Sequence, residues 1–258
     1  MLKNKIALVT GASSGIGRAI ALVLAREGAK LTLSDLNVEL VNETRELIHA
    51  QGGESIAVKS DVGSAQACYD LVKLTVEQFG KIDVACNCAG IGGPSALTAD
   101  YSLTAWDHVI RTNLSGVFYG MQAQIAAMMI QGSGSIINIA SVLGVVGTPR
   151  SPAYVAAKHG VIGLTQTAAW EYGTSGLRIN AVGPGYVETP LERSLINSAS
   201  AHEALLAAHA LGRLGQPREV AELVAWLASD RASFVPEGVE RPLKPSGEVG
   251  VYWPVVRP

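Results

Sequence analysis

The sequence predicts an α/β protein: a single doubly wound Rossmann-type domain with a mostly parallel seven-stranded sheet and helices on both faces. Three observations predict it. Short apolar runs alternate with longer segments of helical period, the pattern of parallel βαβ units joined by right-handed crossovers. Runs such as Ile6-Ala7-Leu8-Val9 and Ile136-Ile137-Asn138-Ile139-Ala140 are almost continuously apolar, as strands covered on both faces are. The first run ends in a glycine-rich turn that opens directly into a helix.

In chain order, strands are expected at 5–10, 30–34, 55–59, 82–86, 134–140 and 177–182, with a seventh at 238–243. Helices are expected near 15–28, 37–51, 64–79, 103–131, 152–174 and 217–229. Ser151-Pro152 reads as the N-cap and first residue of the fifth of these. No linker, low-complexity stretch or repeat divides the chain, so the domain is taken as 1–258.

Composition narrows the function classes. A chain of 258 residues can bury a substantial core. It is 48% hydrophobic, with mean hydropathy +0.26, which leaves little room for disorder. Net charge is −2 with Lys and Arg scattered, so no electrostatic footprint for nucleic acid exists. No apolar run reaches the ~20 residues of a membrane span. The N-terminal MLKNKIALVTG lacks signal-peptide architecture. Three cysteines suit a reduced cytoplasm. Cys86 and Cys88 lie in a strand-like run with no His near them, so they read as packing residues and no metal site is expected.

The first strand runs into Thr10-Gly11-Ala12-Ser13-Ser14-Gly15-Ile16-Gly17. Glycines let a backbone approach a diphosphate, and the following helix offers free N–H groups and a favourable dipole. Alone, such a turn is equally a tight strand–helix connection; its place in the first unit of an α/β chain favours the cofactor reading. Asp35 closes the second strand, 24 residues after Gly11. A carboxylate there accepts both hydroxyls of an adenosine ribose. It repels a 2′-phosphate: like charges ~4 Å apart cost about 4 kcal/mol at an effective dielectric of ~20. No Arg or Lys occupies 34 to 37, so NAD(H) is expected rather than NADP(H). Asp61, after the third strand, suits either the adenine amino group or a turn.

Tyr154 and Lys158 stand one helical turn apart on one face. Moving a phenol from ~10 to ~7 takes about 4 kcal/mol, roughly what one ammonium at an effective dielectric of ~20 supplies. The spacing is a common helical accident by itself. Ser141 strengthens it, because it closes the fifth strand, and the carboxyl ends of such strands face the ligand crevice. Asn113 falls inside a long helix, where its side chain is unfavoured; it is placed to hold a water or to bend the helix.

These residues carry a resemblance. TGASSGIG (10–17), Asp61-Val62, Asn87-Cys88-Ala89-Gly90, Asn113, Ser141, Tyr154-x-x-x-Lys158 and Pro184-Gly185-x-x-x-Thr189 occur in the order and spacing of the short-chain dehydrogenase/reductase (SDR) family, over roughly residues 1–235. The resemblance implies that Tyr154 is the catalytic acid/base, that Lys158 tunes it and holds the nicotinamide ribose, and that Ser141 positions the substrate oxygen. It implies that Asn113 holds a water in a proton relay. Backbone at Gly11, Ser14 and Ile16 would bind the diphosphate end, Asn87 and Ala89 would lie along the adenosine ribose, and Val187 and Thr189 would bind the carboxamide. Ser13, Gly15, Gly17, Leu36, Val62, Gly90, Pro184 and Gly185 complete the implied cofactor set. A homo-oligomer, tetramer or dimer, is implied as well.

Three departures from the family pattern stand out. Cys88 replaces a second Asn, and Gly183 replaces the Asn before Pro184. After Val235 the family's threonine-glycine, strand and Val-Asp-Gly-Gly segment gives way to a proline-rich tail, 236–258, with prolines flanking the expected last strand. That break fits a shifted reading frame or an unusual natural end, and it bears on the tetramer.

The substrate lid is expected at about 190–212, facing loops 91–99 and 142–150. These stretches are mostly apolar, with Ile91, Pro94, Leu143, Tyr186, Leu191 and Leu205 among them. Without an arginine cluster, although Arg150 and Arg193 stand there singly, the expected substrate is a neutral, hydrophobic ketone or secondary alcohol. His202 and His209 read as surface or packing residues. Two other readings stay open: a 3-oxoacyl-thioester reductase, which Asp35 disfavours, and a catalytically weak nucleotide-binding scaffold, which retention of Tyr154 and Lys158 disfavours.

Overall fold

The computed structural model describes residues 1–193, 203, 205–207, 209 and 211–235. Its strands are β1 (Ile6–Thr10), β2 (Lys30–Asp35), β3 (Ser55–Lys59), β4 (Val84–Asn87), β5 (Gly134–Ile139) and β6 (Leu177–Val182). They form one parallel sheet in the order β3-β2-β1-β4-β5-β6. The order reverses direction between β1 and β4, which opens a crevice beyond their carboxyl ends. The seventh expected strand, 238–243, lies outside the described residues.

The helices are α1 (Gly15–Arg26), α2 (Val38–His49), α3 (Ala65–Phe79), α4 (Leu103–Ile110), α5 (Gly116–Gln131), α6 (Pro152–Tyr172), the single turn α7 (Pro190–Arg193) and α8 (Pro217–Ala228). Their ends follow local chemistry. Asn37 caps α2 by accepting from the Leu40 N–H, and Ser64 caps α3 by accepting from Ala67. Pro152 starts α6, but the Ser151 side chain makes no cap bond. The 103–131 helix is not continuous. A π turn, Arg111–Ser115, separates α4 from α5, with the Gly116 N–H reaching back to the Arg111 carbonyl.

Strand alternation sorts the core into two layers. Ala7, Val9, Leu31, Leu33, Ile137 and Ile139 pack with α1, α2 and α8 on one face. Leu8, Ala85, Ile136 and Ile179 pack with α3, α5 and α6 on the other. β1 is buried along its whole length, and the glycine turn follows directly from its end. No described helix is long and apolar enough to cross a membrane.

Candidate active site

The crevice is a long cleft of about 750 Å³, running from the β1–α1 turn to the loop at Leu143 and to Leu205. Gly11 and Gly17 make its floor possible. Gly11 has φ +70°, and a Cβ there would meet the Ala89 nitrogen at 2.8 Å. A Cβ on Gly17 would collide with the Gly11 carbonyl oxygen. No side chain caps the N-terminus of α1, so its first N–H groups face the cleft. That is the donor set a diphosphate requires, and Ser13, Ser14, Gly15 and Ile16 line the same stretch.

Asp35 stands on the cleft wall beside this turn. Its Oδ2 accepts from the Ser13 hydroxyl at 2.7 Å, and its Oδ1 accepts from the Asn37 N–H at 3.3 Å. The nearby cation, Arg18, is turned away to the Leu40 carbonyl and Glu43. Leu36 projects beside Asp35, 57% exposed, as an apolar lip. Farther along, Asp61 and Val62 line the wall. Asp61 Oδ1 accepts from the Gly63 N–H at 2.8 Å, and Oδ2 accepts from Arg111 at 2.7 Å. Arg111 is a partner that the sequence did not suggest, because fifty residues separate the pair.

At the other end, Ser141, Tyr154 and Lys158 line one stretch of wall. Ser141 is buried at the end of β5, and its Oγ accepts from the Leu143 N–H at 3.1 Å. That bond uses the acceptor side of the hydroxyl and leaves its proton to donate into the cleft. Lys158 is buried; its Nζ donates to the Ile139 carbonyl at 2.7 Å and sits 5.5 Å from the centre of the Tyr154 ring. Burial pushes its pKa down to about 8. The ammonium therefore remains the main form at pH 7, held close to the phenol.

Asn113 is fully buried in the π turn, and its amide is used on both sides. Oδ1 accepts from the Ile91 N–H at 2.8 Å and Nδ2 donates to the Ile91 carbonyl at 2.7 Å. The side chain fastens the loop after Gly90 to the π turn.

Asn87 also departs from expectation. Its side chain points into the sheet core, where it pairs reciprocally with Gln124 and donates to Asn138 at 2.8 Å. It is absent from the cleft wall, whereas Cys88, Ala89 and Gly90 are on it. Cys88 is half-buried there, and burial pushes its thiol up to about 12. Cys86 is buried and shifted in the same direction. Both are neutral packing groups at pH 7, as the sequence suggested. The described residues contain no metal-ligating cluster.

The loop after β6 closes the cleft. Pro184, Gly185, Val187 and Thr189 all line it, and the Pro184 carbonyl is tied to the Val142 N–H at 2.8 Å. His209 is buried rather than on the surface. Its Nδ1–H donates to the Leu205 carbonyl at 2.7 Å, and its Nε2 accepts from the Tyr186 N–H at 3.0 Å. The loop and the lid segment are thereby joined by one imidazole. His202 and most of the lid lie outside the described residues. Arg150, on the opposite rim, has φ +67°, a conformation that costs a non-glycine residue about 1 kcal/mol.

Comparisons with known proteins agree with this geometry. Residues 11–237 match a family model of the short-chain dehydrogenases, described as enoyl-(acyl carrier protein) reductase. The chain is 45% identical over 233 residues to a cyclohexanol dehydrogenase of Acinetobacter sp. (strain SE19), covering 90% of each. It is 42% identical over 236 residues to a 3-oxoacyl-[acyl-carrier-protein] reductase of Staphylococcus aureus, covering 91% of this chain and 95% of the other. The crystal structure of levodione reductase superposes with a TM-score of 0.89 at 38% identity, over 92% of this chain and 95% of that one. With the serine, tyrosine and lysine on one wall of the cleft, these matches show that the chain belongs to the short-chain dehydrogenase/reductase family of oxidoreductases.

Proposed function

We propose that the protein interconverts a cyclic secondary alcohol and its ketone, using NAD(H). One observation carries the reading: Ser141, Tyr154 and Lys158 stand at one end of a cleft whose other end presents Asp35. When bound, the nicotinamide supplies the hydride acceptor or donor. The chain's own residues manage the oxygen and its proton. Ser141 donates a hydrogen bond to the substrate oxygen, and Tyr154 takes the hydroxyl proton in oxidation and returns it in reduction. The Lys158 ammonium favours the phenolate and the diol of the nicotinamide ribose. Val187 and Thr189 fit the carboxamide.

NAD(H) is preferred to NADP(H) because Asp35 is fixed by Ser13 at the ribose position and Arg18 is turned away. Asp61 and Val62 would flank the adenine. The substrate end is walled by Ile91, Pro94, Val142, Leu143, Tyr186 and Leu205, which suits a compact ring, and the likeness to a cyclohexanol dehydrogenase points the same way. The similarity to a 3-oxoacyl-thioester reductase favours a second reading, against which the anionic Asp35 stands. Trp170 on α6 is 76% exposed and Phe118 on α5 45%, apolar surface that fits burial in a homo-oligomer of dimeric or tetrameric size. A cytoplasmic setting fits the three unpaired cysteines.

The test is absorbance at 340 nm with NAD⁺ and a panel of cyclohexanol, open-chain secondary alcohols of equal carbon number and a 3-hydroxyacyl thioester. The expected result is fastest turnover of the ring alcohol. Faster turnover of the thioester, or of every substrate with NADP⁺, would replace this reading with the second.

A further inference from the structure

Four of the residues lining the cleft are charged: Asp35, Asp61, Arg150 and Lys158. The two acids occupy the adenosine end, and Lys158 is buried beside Tyr154. Among the described residues, Arg150 is the cation at the exposed rim of the substrate end. Its backbone lies in the left-handed region, φ +67°, one of two non-glycine residues among those described to do so. A long cationic side chain kept at a position that suits glycine points to use of that side chain.

The guanidinium is held across the mouth of the cleft. Its Nε donates to the Ser95 hydroxyl at 3.1 Å, its Nη2 donates weakly to the Ser95 carbonyl at 3.4 Å, and the Arg150 carbonyl accepts from the Ala96 N–H at 3.1 Å. These bonds join the wall before α6 to the loop after β4. They leave Nη1 and the second Nη2 proton without a partner among the described residues. That edge of the fork matches the two oxygens of a carboxylate.

We propose that Arg150 is a specificity-determining residue that receives a carboxylate carried on the substrate ring, away from the reacting carbon. This rests on the dehydrogenase reading above. The ring lies against the apolar wall, its hydroxyl carbon at Ser141 and Tyr154, and its acidic substituent reaches the rim.

The experiment measures kcat/KM with NAD⁺ for cyclohexanol and for 3- and 4-hydroxycyclohexanecarboxylate, in the wild type, Arg150→Gly and Arg150→Glu. Glycine suits the backbone conformation, so Arg150→Gly removes the guanidinium without endangering the fold. The wild type is expected to favour one carboxylate isomer over cyclohexanol, with the preference shrinking as salt is raised. Arg150→Gly is expected to lower kcat/KM for that isomer about tenfold, with cyclohexanol changed by less than about twofold, and Arg150→Glu to lower it further. Equal loss on acid and cyclohexanol in Arg150→Gly would reduce Arg150 to a loop strap and overturn the proposal. So would cyclohexanol turnover with no acid preference in the wild type. Failure to turn over any of the compounds would overturn the dehydrogenase reading itself.

Discussion

The two ends of the cleft are built by different means. At the Asp35 end, proposed above to hold the adenosine, each polar group sits on or just after a strand end and is fixed by a short bond: Asp35 by Ser13, Asp61 by Gly63 and Arg111. At the substrate end, the wall is assembled from three separated stretches, the loops after β4 and β5 and the segment after β6, mostly through apolar side chains. Between them, Ser141 and Lys158 belong structurally to the first kind, tied to the β5 end by Leu143 and Ile139. A fixed half for the proposed cofactor and a loop-built half for the proposed substrate is the division that loops on a rigid scaffold provide.

Asp35→Ser tests the fixed half most severely. Removing a charge worth about 4 kcal/mol against a 2′-phosphate should shift the NADH:NADPH ratio of kcat/KM by on the order of a thousandfold toward NADPH. A ratio unchanged by the substitution would mean that Asp35 does not select the cofactor.

Lys158→Met probes the cost of that fixity. The folded-state pKa, about 8, lies below the ordinary lysine value, so the unfolded chain binds the extra proton between pH 8 and about 10.4. Below pH 8 the buried ammonium disfavours folding by at most about 3 kcal/mol, and the penalty fades as pH rises to about 10.4. Cofactor-free Lys158→Met should therefore melt higher than the wild type at pH 7, with the gap closing near pH 10, while turnover falls. Thermal melts at both pH values check this, and a lower melting temperature at pH 7 contradicts it.

The smallest effect is expected where the halves meet. His209→Ala removes the acceptor for the Tyr186 N–H and should raise the KM for NADH roughly tenfold with little change in kcat. His209→Gln, which can both accept and donate, should recover most of the loss. Equal KM increases in both variants would mean that imidazole packing, rather than the bond, matters.

The fold was readable because its signals are local. The six described strands appear where apolar runs stand between turn residues, and the glycine turn, Asp35, Ser141, Tyr154 and Lys158 meet because strand ends share one edge of a parallel sheet. What escaped depends on partners distant in sequence. Asn113, inside the π turn, finds its partner in Ile91, twenty-two residues away. Asn87 sits in a cofactor-like motif, yet it turns inward because Gln124 and Asn138 offer it buried partners. Arg111 and His209 carry no local signature at all.

The most direct measurement pairs NADH binding with turnover in Tyr154→Phe, using fluorescence for binding and cyclohexanone-dependent loss of absorbance at 340 nm for chemistry. NADH binding is expected to stay near normal while turnover falls by about 10²-fold or more. Turnover retained in the Phe variant would contradict the assignment of Tyr154 as the acid/base, and with it the dehydrogenase reading of this cleft.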